Sequence, residues 1–562
     1  MSHLDLINIE KSIHLKYIKW HIMIKSPFSP RSPKDFRILQ LYPNVQMSSL
    51  MPQSIGIFSA LFKNEGYTTD IFDCTYYQDI HFNDDDSISD VEIQKTNDVL
   101  VQNRAVPNFD TDELLRKGGA PKKGSSIKSD FIKKVDEFKP DLILVSVVES
   151  TYFLAIDLLR SIPEKNRNYK TLLGGVFPTY AADKVIKNEF VDYVCRGEGE
   201  EAVMELCNRF ISGERIDNVM NFHIKANGQI YKNKIRAGMD INNVPIPDWD
   251  LFDPGSLYRP MSGGVYRTVG VETQRGCPYT CTFCNSPGNN VIYKEETSKI
   301  FHRKKSIKRM KEEFDFLIKK YDPELIYFIS DTFLAMSNKE FDEFKEMYSD
   351  YKIPFWMNTR AETITEHRAN GLEEMNMLRC DIGIEHGNSD YRKNYLKRNV
   401  SDDVQIKAFE MLADKKYTAT ANCIIGMPDE TRELVFDTIR FCRKLPKSMP
   451  AAGAFIFAPY HGTPLRNLSI EKGYITDEEI VTLGIAGSDK SMLNMPQLSS
   501  TEIGGLSKTF SYYCKFPEDR WDEIKIAEQF TPEGITMHKK LGEEFDKKYK
   551  DPKAASAINA VM

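Results

Sequence analysis

Cys277, Cys281 and Cys284 stand in the segment QRGCPYTCTFCNSP, spaced C-x3-C-x2-C. Three thiolates on one short loop can each hold one iron of a cubane cluster. The fourth iron then lacks a protein ligand and is free to chelate a small molecule. A structural zinc site would ask for four protein ligands. No fourth Cys or His stands nearby at finger spacing, and His302 is eighteen residues past Cys284. The triad therefore reads as a [4Fe-4S] loop, with a zinc loop or chance core cysteines as the alternatives. The chain's other cysteines (Cys74, Cys195, Cys207, Cys380, Cys423, Cys442 and Cys514) are scattered. That usage suits a reducing cytoplasm better than a disulfide framework.

Such a loop needs a platform. From about Val265 to Leu465 the strands RTVGVET, LIYFIS, FWMNTR, DIGIEH, TATANCIIGM and AGAFIFAP alternate with helical patterns. These β/α units form an open partial (β/α)6 barrel, with the cysteines after its first strand. An earlier series comprises FRILQLY, TTDIFD, DLILVSVVES, YKTLLGG and FVDYVCRG, with helices over Gln53–Gly66 and Tyr152–Ile162. Strands alternating with helices imply a doubly wound, Rossmann-like parallel sheet, so the fold class is α/β.

The expected organisation is an extension over 1–34, the doubly wound domain over 35–214, a linker over 215–262, the barrel over 263–466 and a mostly helical region over 467–562. The linker carries a hairpin signal, HIKANGQIYKN with Asn-Gly as the turn, and the Pro-rich NNVPIPDWDLFDPG. An insertion over 76–128 is acidic around Asp84–Asp86 and then basic in RKGGAPKKGSS. It reads as a solvated loop or lid, because no Walker pattern supports phosphate binding. In the last region Tyr512, Tyr513 and Trp521 are available to build a pocket or a small core.

The composition is that of a globular protein: 41% hydrophobic, 28% charged, mean hydropathy -0.43 and net charge -6 over 562 residues. The charge argues against a nucleic-acid-coating surface. No apolar run approaches the roughly 18 to 20 residues that span a bilayer. Glu10, Lys11, Lys16, Lys19 and Lys25 interrupt any signal-peptide core, so a cytoplasmic location is expected.

The cysteine loop resembles that of the radical-SAM superfamily. FISDTF, GIEHGNSDYRKNYLKRN, IIGMPDET and APYHGTPL extend the resemblance over roughly residues 265–465. It implies that Cys277, Cys281 and Cys284 hold the cluster, whose open iron chelates S-adenosylmethionine (SAM). Asp331, Arg360, Glu385 and Arg398 would be polar contacts to SAM. Phe283 would lie near the adenine, and Gly426 and Pro428 would shape the adenosine wall. His386 stands where the family usually has Ser. A reductant such as flavodoxin or ferredoxin would supply the electron that releases a 5'-deoxyadenosyl radical.

The first domain resembles the cobalamin-binding domain fused to such barrels, on LYPN, SVVESTY, LLGGVFPTY and VDYVCRGEGEEAV. The resemblance implies that cobalamin sits beyond the strand carboxyl ends, at Pro43, Ser146, Gly174, Gly175, Pro178, Thr179, Gly197, Glu198 and Glu200. Paired glycines would let backbone approach a large flat ligand. The D-x-H-x-x-G motif that supplies a lower histidine ligand is missing, and His81 in HFNDDD is the domain's only candidate. The whole resembles class B radical SAM methyltransferases. It implies C-methylation of an unactivated carbon in a small-molecule or natural-product substrate. The alternatives are oxidative cyclisation or ring contraction, a cobalamin carrier or sensor, and a methylthiotransferase-like enzyme. That last would need a second cluster on Cys74, Cys195 and Cys207, the last of these in the helical ELCNRF.

Overall fold

The computed structural model describes residues 23–45, 52–79, 111–262, 264–483 and 490–549. Two sheets organise them. The first contains β1 (Arg37–Tyr42), β2 (Thr68–Asp73), β3 (Leu142–Ser146), β4 (Lys170–Gly174), β5 (Tyr193–Cys195), β6 (Phe222–Ala226) and β7 (Gln229–Lys232), in the order β2-β1-β3-β4-β5-β6-β7. Strands β1 to β5 are parallel, and Ile38, Leu39 and Leu41 stand beside Leu142, Ile143 and Val145. Alternation sends Leu39, Leu41, Ile143 and Val145 to one apolar face, with Phe131 and Leu158 from covering helices. It sends Ile38, Leu142 and Leu144 to the other, against Phe62 and Leu206. Because both faces are covered, the strands read as continuous apolar runs.

The hairpin expected within the linker is β6–β7, and it extends this sheet antiparallel to β5. The irregular stretch of the 215–262 region therefore follows Lys232. Of the insertion, residues 80–110 lie outside the described residues, His81 and the acidic run among them. The Lys-Gly stretch that follows is pinned rather than free. Lys117 donates from Nζ to the Val265 carbonyl at 2.9 Å. Gly255 lies so close to Ala120 that a Cβ would stand 2.3 Å from its backbone nitrogen.

The second sheet contains β8 (Tyr258–Met261), β9 (Gly264–Glu272), β12 (Leu325–Ile329), β13 (Phe355–Arg360), β14 (Met377–Glu385), β15 (Thr418–Ile425) and β16 (Gly453–Ile456). Its order is β16-β15-β14-β13-β12-β9-β8, the half-barrel of six parallel strands with β8 added antiparallel at one edge. A separate pair, β10 (Gln274–Arg275) and β11 (Arg303–Lys304), clips the loop beyond β9. The large core between the half-barrel and its outer helices takes Met357, Cys380, Ile382, Cys423 and Ile425. The alternate positions Trp356, Asn358, Asp381 and Thr420 point the other way.

The helix Ser500–Lys515 covers the β16 edge, where Ser507 and Ser511 donate to the carbonyls of Ala454 and Ala452 at 3.2 and 3.0 Å. Tyr512 and Tyr513 are fully buried here, and Trp521 packs edge-on to Tyr513, so this region is core rather than pocket. No helix among the described residues is long and apolar enough to cross a membrane.

Candidate active site

Strand β9 ends at Glu272 and delivers the cysteine loop to the carboxyl end of the half-barrel. Gly276, at φ 82°, turns the chain beneath Phe301, whose ring a Cβ would meet at 2.6 Å. Asn290, on the helix Ser286–Thr297, then holds the loop by donating to the Cys277 carbonyl at 2.8 Å. Donors surround the sulfurs. The Ser286 backbone N–H reaches Cys284 Sγ at 3.4 Å, Thr332 Oγ1 lies 3.5 Å from Cys277 Sγ, and Arg360 Nη1 stands 2.9 Å from Cys281 Sγ. Burial pushes the Cys284 thiol up to about 12 and raises that of Cys277. A positive metal centre is what draws the proton from such a thiol.

The residues fit a cubane better than a single ion. Among the described residues no three His, Cys, Asp or Glu side chains are arranged to hold one metal ion. Structural zinc demands that convergence, whereas each thiolate of a cubane meets its own iron.

Two of the expected SAM contacts, Arg360 and Arg398, reach Cys281, and a third, Glu385, stands beside Arg398. Arg360 ends β13, Glu385 ends β14, and Arg398 follows in the next loop. Arg398 Nη1 lies 3.3 Å from Glu385 Oε1 and 3.9 Å from Cys281 Sγ. Burial raises the Glu385 carboxyl, against the opposing pull of Arg398 and Arg360. Asp331, exposed just beyond β12, accepts from Ser286 Oγ at 2.5 Å. Phe283 is half-buried against the main core.

Gly426 and Pro428 lie buried beyond β15, where Glu430 accepts from the N–H of Gly426 and of Met427 at 2.5 and 3.1 Å. Pro428 is tied by its carbonyl to Tyr391 Oη at 2.6 Å. His386 has no exposed atom to offer a ligand. Its Nδ1 accepts from the Asn388 N–H at 3.0 Å, and its Nε2 faces Glu430 Oε1 at 3.0 Å. The histidine at the family's serine position thus braces two loops.

A cavity of about 480 Å³ opens at the carboxyl end of the first sheet. Pro43, Ser146, Gly174, Gly175, Thr179, Gly197, Glu198 and Glu200 line it, joined from the half-barrel side by Glu272, Arg275, Asn289 and Phe301. Pro178 is buried in its short helix and is not among the lining residues. Gly175 has a role different from the expected one. At φ 113° its Cβ would stand 2.4 Å from the Val147 carbonyl oxygen, so it lets two protein segments meet. Thr179 joins the same region, donating to the Gly175 carbonyl and accepting from the Gly197 N–H at 2.8 and 3.0 Å.

At about 480 Å³ the cavity lies within the usual range for ligand pockets. No histidine is among its described lining residues. A second cluster does not fit the first domain. Cys74 lies in the core on one face of the sheet, and Cys195 and Cys207 lie in the core on the other.

Sequence reasoning missed the groups that join the two halves. Tyr180 donates from Oη to the Asn285 carbonyl at 2.6 Å, just beyond Cys284. Arg275, in the segment QRGC, reaches Glu198 and Glu200 of the first domain. The only available signal was position, since Tyr180 ends LLGGVFPTY and Arg275 precedes the first cysteine by two residues.

The radical SAM superfamily model matches residues 271–442, and the B12 binding domain model matches residues 119–207. A protein named as an uncharacterized methyltransferase, from Pyrococcus horikoshii, is 28% identical over 345 residues, covering 61% of this chain and 72% of that one. The anaerobic magnesium-protoporphyrin IX monomethyl ester cyclase of Rubrivivax gelatinosus is 23% identical over 322 residues, which are 55% of each chain. Among solved structures, the cobalamin-dependent SAM radical enzyme OxsB with aqua-cobalamin and SAM bound superposes with a TM-score of 0.57 at 14% identity, over 92% of this chain and 72% of that chain. The radical SAM methyltransferase TsrM from Kitasatospora setae gives 0.54 at 13% identity, over 78% and 76%. At those identities the likeness is one of fold. The cofactors are a [4Fe-4S] cluster, SAM and cobalamin, and the chain is a radical SAM enzyme that carries a B12 binding domain ahead of its radical SAM domain.

Proposed function

We propose that the chain is a cobalamin-dependent C-methyltransferase that methylates an unactivated carbon of a small-molecule substrate. One observation carries the reading. The cavity at the carboxyl end of the first sheet is closed on its far side by Glu272 and Arg275, which lead directly into the cysteine loop. Two cofactor sites that share a wall suit a reaction using both. When bound, the cluster with SAM supplies a hydrogen-abstracting radical, and cobalamin supplies a transferable methyl group.

The chain's own residues then have separable tasks. Cys277, Cys281 and Cys284 hold the cluster, and Ser286 N–H, Thr332 and Arg360 direct donors at their sulfurs. Arg398 and Arg360 present guanidinium groups suited to a carboxylate, and Glu385 presents a carboxylate suited to an amine. Gly426 and Pro428 would shape the adenosine wall through their backbone.

Anaerobic reconstitution with iron, sulfide, hydroxocobalamin, SAM and a reductant tests this, with the SAM products read by mass spectrometry. Methylation consumes two SAM molecules per turnover, giving 5'-deoxyadenosine and S-adenosylhomocysteine in near-equal amounts with the true substrate. The cyclase relatives favour a second reading, a non-methylating oxidative cyclisation. 5'-Deoxyadenosine without S-adenosylhomocysteine, and no methyl mass added to the consumed substrate, would select it.

A further inference from the structure

Five charged side chains meet where the first domain touches the half-barrel. Arg275 takes Glu272 in a two-point grip, Nε to Oε1 at 2.9 Å and Nη2 to Oε2 at 3.0 Å. Its remaining nitrogen, Nη1, crosses to the other domain, reaching Glu200 Oε1 at 2.8 Å and Glu198 Oε1 at 3.0 Å. Glu198 also pairs with Arg303, and its Oε2 accepts from the Met239 N–H at 3.1 Å. The Glu198 backbone N–H donates to Tyr293 Oη at 2.8 Å. The side chains of Arg275, Glu198, Glu200 and Glu272 are between 9% and 13% exposed, so this is no solvated surface pair. Removing Arg275 would leave Glu272 and Glu200 without the guanidinium from which both accept.

Position gives the cluster its meaning. Arg275 lies two residues before Cys277, in the clip that β10 and β11 form, while Arg303 lies in the other strand of that clip. Glu198 and Glu200 belong to the turn that lines the cobalamin cavity, and Arg275 and Glu272 line the same cavity from the opposite side. A planar guanidinium serves such a hub because it offers several donors in fixed directions. Lysine could satisfy the charge but not the fork.

We propose that Arg275 is a positioning residue that joins the two cofactor sites, fixing the Gly197–Glu200 turn against the cluster loop so that the cobalamin cavity keeps its shape. This rests on the reading of that cavity as the corrinoid site. The role is mechanical and electrostatic, carried by the grip of Arg275 on Glu198 and Glu200. The bridge makes the affinity of the cavity depend on a residue of the barrel.

The test measures hydroxocobalamin affinity, by anaerobic spectral titration of the full-length, cluster-loaded protein, with iron content determined in parallel. Arg275→Gln and Glu200→Gln should each weaken binding about ten- to a hundredfold, the range for groups that orient a cofactor's immediate neighbours. The double variant should lose no more than Arg275→Gln alone, because that substitution already removes the nitrogen from which Glu200 accepts. Arg275→Lys should recover part of the loss. Multiplicative losses in the double variant, or cobalamin binding by either single variant within twofold of wild type, would overturn the assignment. If Arg275→Gln does not fold, Glu200→Gln carries the test alone, since it leaves Arg275 its Glu272 and Glu198 partners. Failure of the wild-type protein to bind cobalamin would defeat the functional reading along with this one.

Discussion

Arg360 stands with Nη1 2.9 Å from the sulfur of Cys281, and its guanidinium lies over the Tyr279 ring at 3.9 Å from the centroid. Both Tyr279 and Cys281 belong to the cysteine loop, so the end of β13 is locked onto the loop that β9 delivers. Arg398 approaches the same sulfur from beyond β14. Three strand ends thus converge on one thiolate. A positive charge beside a cluster sulfur favours the reduced, more negative cluster.

The first prediction concerns the triad itself. Cys277, Cys281 and Cys284 replaced together by Ala should abolish cluster absorbance and 5'-deoxyadenosine formation, while the far-UV circular dichroism stays that of wild type. The loop is held by groups other than the sulfurs, among them Asn290 on the Cys277 carbonyl and the β10–β11 clip. Undiminished iron binding by the triple variant would refute the ligand assignment. The reconstituted wild-type protein should contain about four irons per chain, as one cubane requires. A value near seven or eight, lowered by replacing Cys74 or Cys195, would speak for a second cluster.

Arg398 gives a second prediction. Its Nη2 donates to the Gly383 carbonyl at 2.6 Å, which aims Nη1 toward Glu385 and Cys281. Arg398→Ala should raise the dissociation constant for SAM roughly ten- to a hundredfold, the size of a lost charged hydrogen bond. Cluster content should remain near that of wild type, because Arg398 is not a ligand. Equal SAM affinity in wild type and variant, by equilibrium binding to cluster-loaded protein, would remove Arg398 from the SAM site.

How much of this was legible in the sequence depends on the range of each interaction. The strands of both sheets were readable because alternation and apolar runs are local signals. The β6–β7 hairpin was readable from Asn-Gly, but not its docking on β5, which depends on distant pairing. Strand β8, with the sequence YRPM, was missed because it is short and contains proline. The cluster cysteines were legible because their spacing is itself the chemistry. The Arg275 hub was not, because its partners Glu198 and Glu200 lie more than seventy residues earlier in the chain. Gly175 was legible as a glycine that must be glycine, yet its close neighbour is Val147 rather than a ligand.

Gly426 supports a prediction about stability. It sits at φ 77°, and a Cβ there would stand 2.9 Å from Ile503 Cγ2 on the helix that covers β16. Gly426→Ala should destabilise the protein by about 1–3 kcal/mol through backbone strain. The crowding against Ile503 adds to it, so Ile503→Val should recover part of the loss. Denaturant unfolding of the barrel would read both. A variant as stable as wild type would mean that the turn rearranges without cost.

The last prediction concerns the lower face of cobalt. A histidine ligand must bring an available ring nitrogen to the metal, with its other nitrogen fixed by a partner. Among the described residues, no histidine lines the cavity. His223 faces Asp183 from β6, between β5 and β7, and His386 is sealed between Asn388 and Glu430. Binding should therefore leave the lower face without a protein nitrogen, and the cob(II)alamin EPR spectrum should lack histidine hyperfine structure. One group could overturn this. His461 holds Nδ1 against Glu149 at 2.8 Å, and its buried Nε2 has no hydrogen-bond partner. It packs edge-on against Phe177, beside the segment Phe177–Thr179. Histidine hyperfine structure that disappears in His461→Ala would make this dyad the ligand system and require the cavity to open toward β16. Hyperfine structure surviving that substitution but lost in His81→Ala would assign the role to the first domain instead. A spectrum free of histidine nitrogen in wild type supports the unligated lower face, with His461 and Glu149 left to their task of clasping the loop after β16 to the first domain.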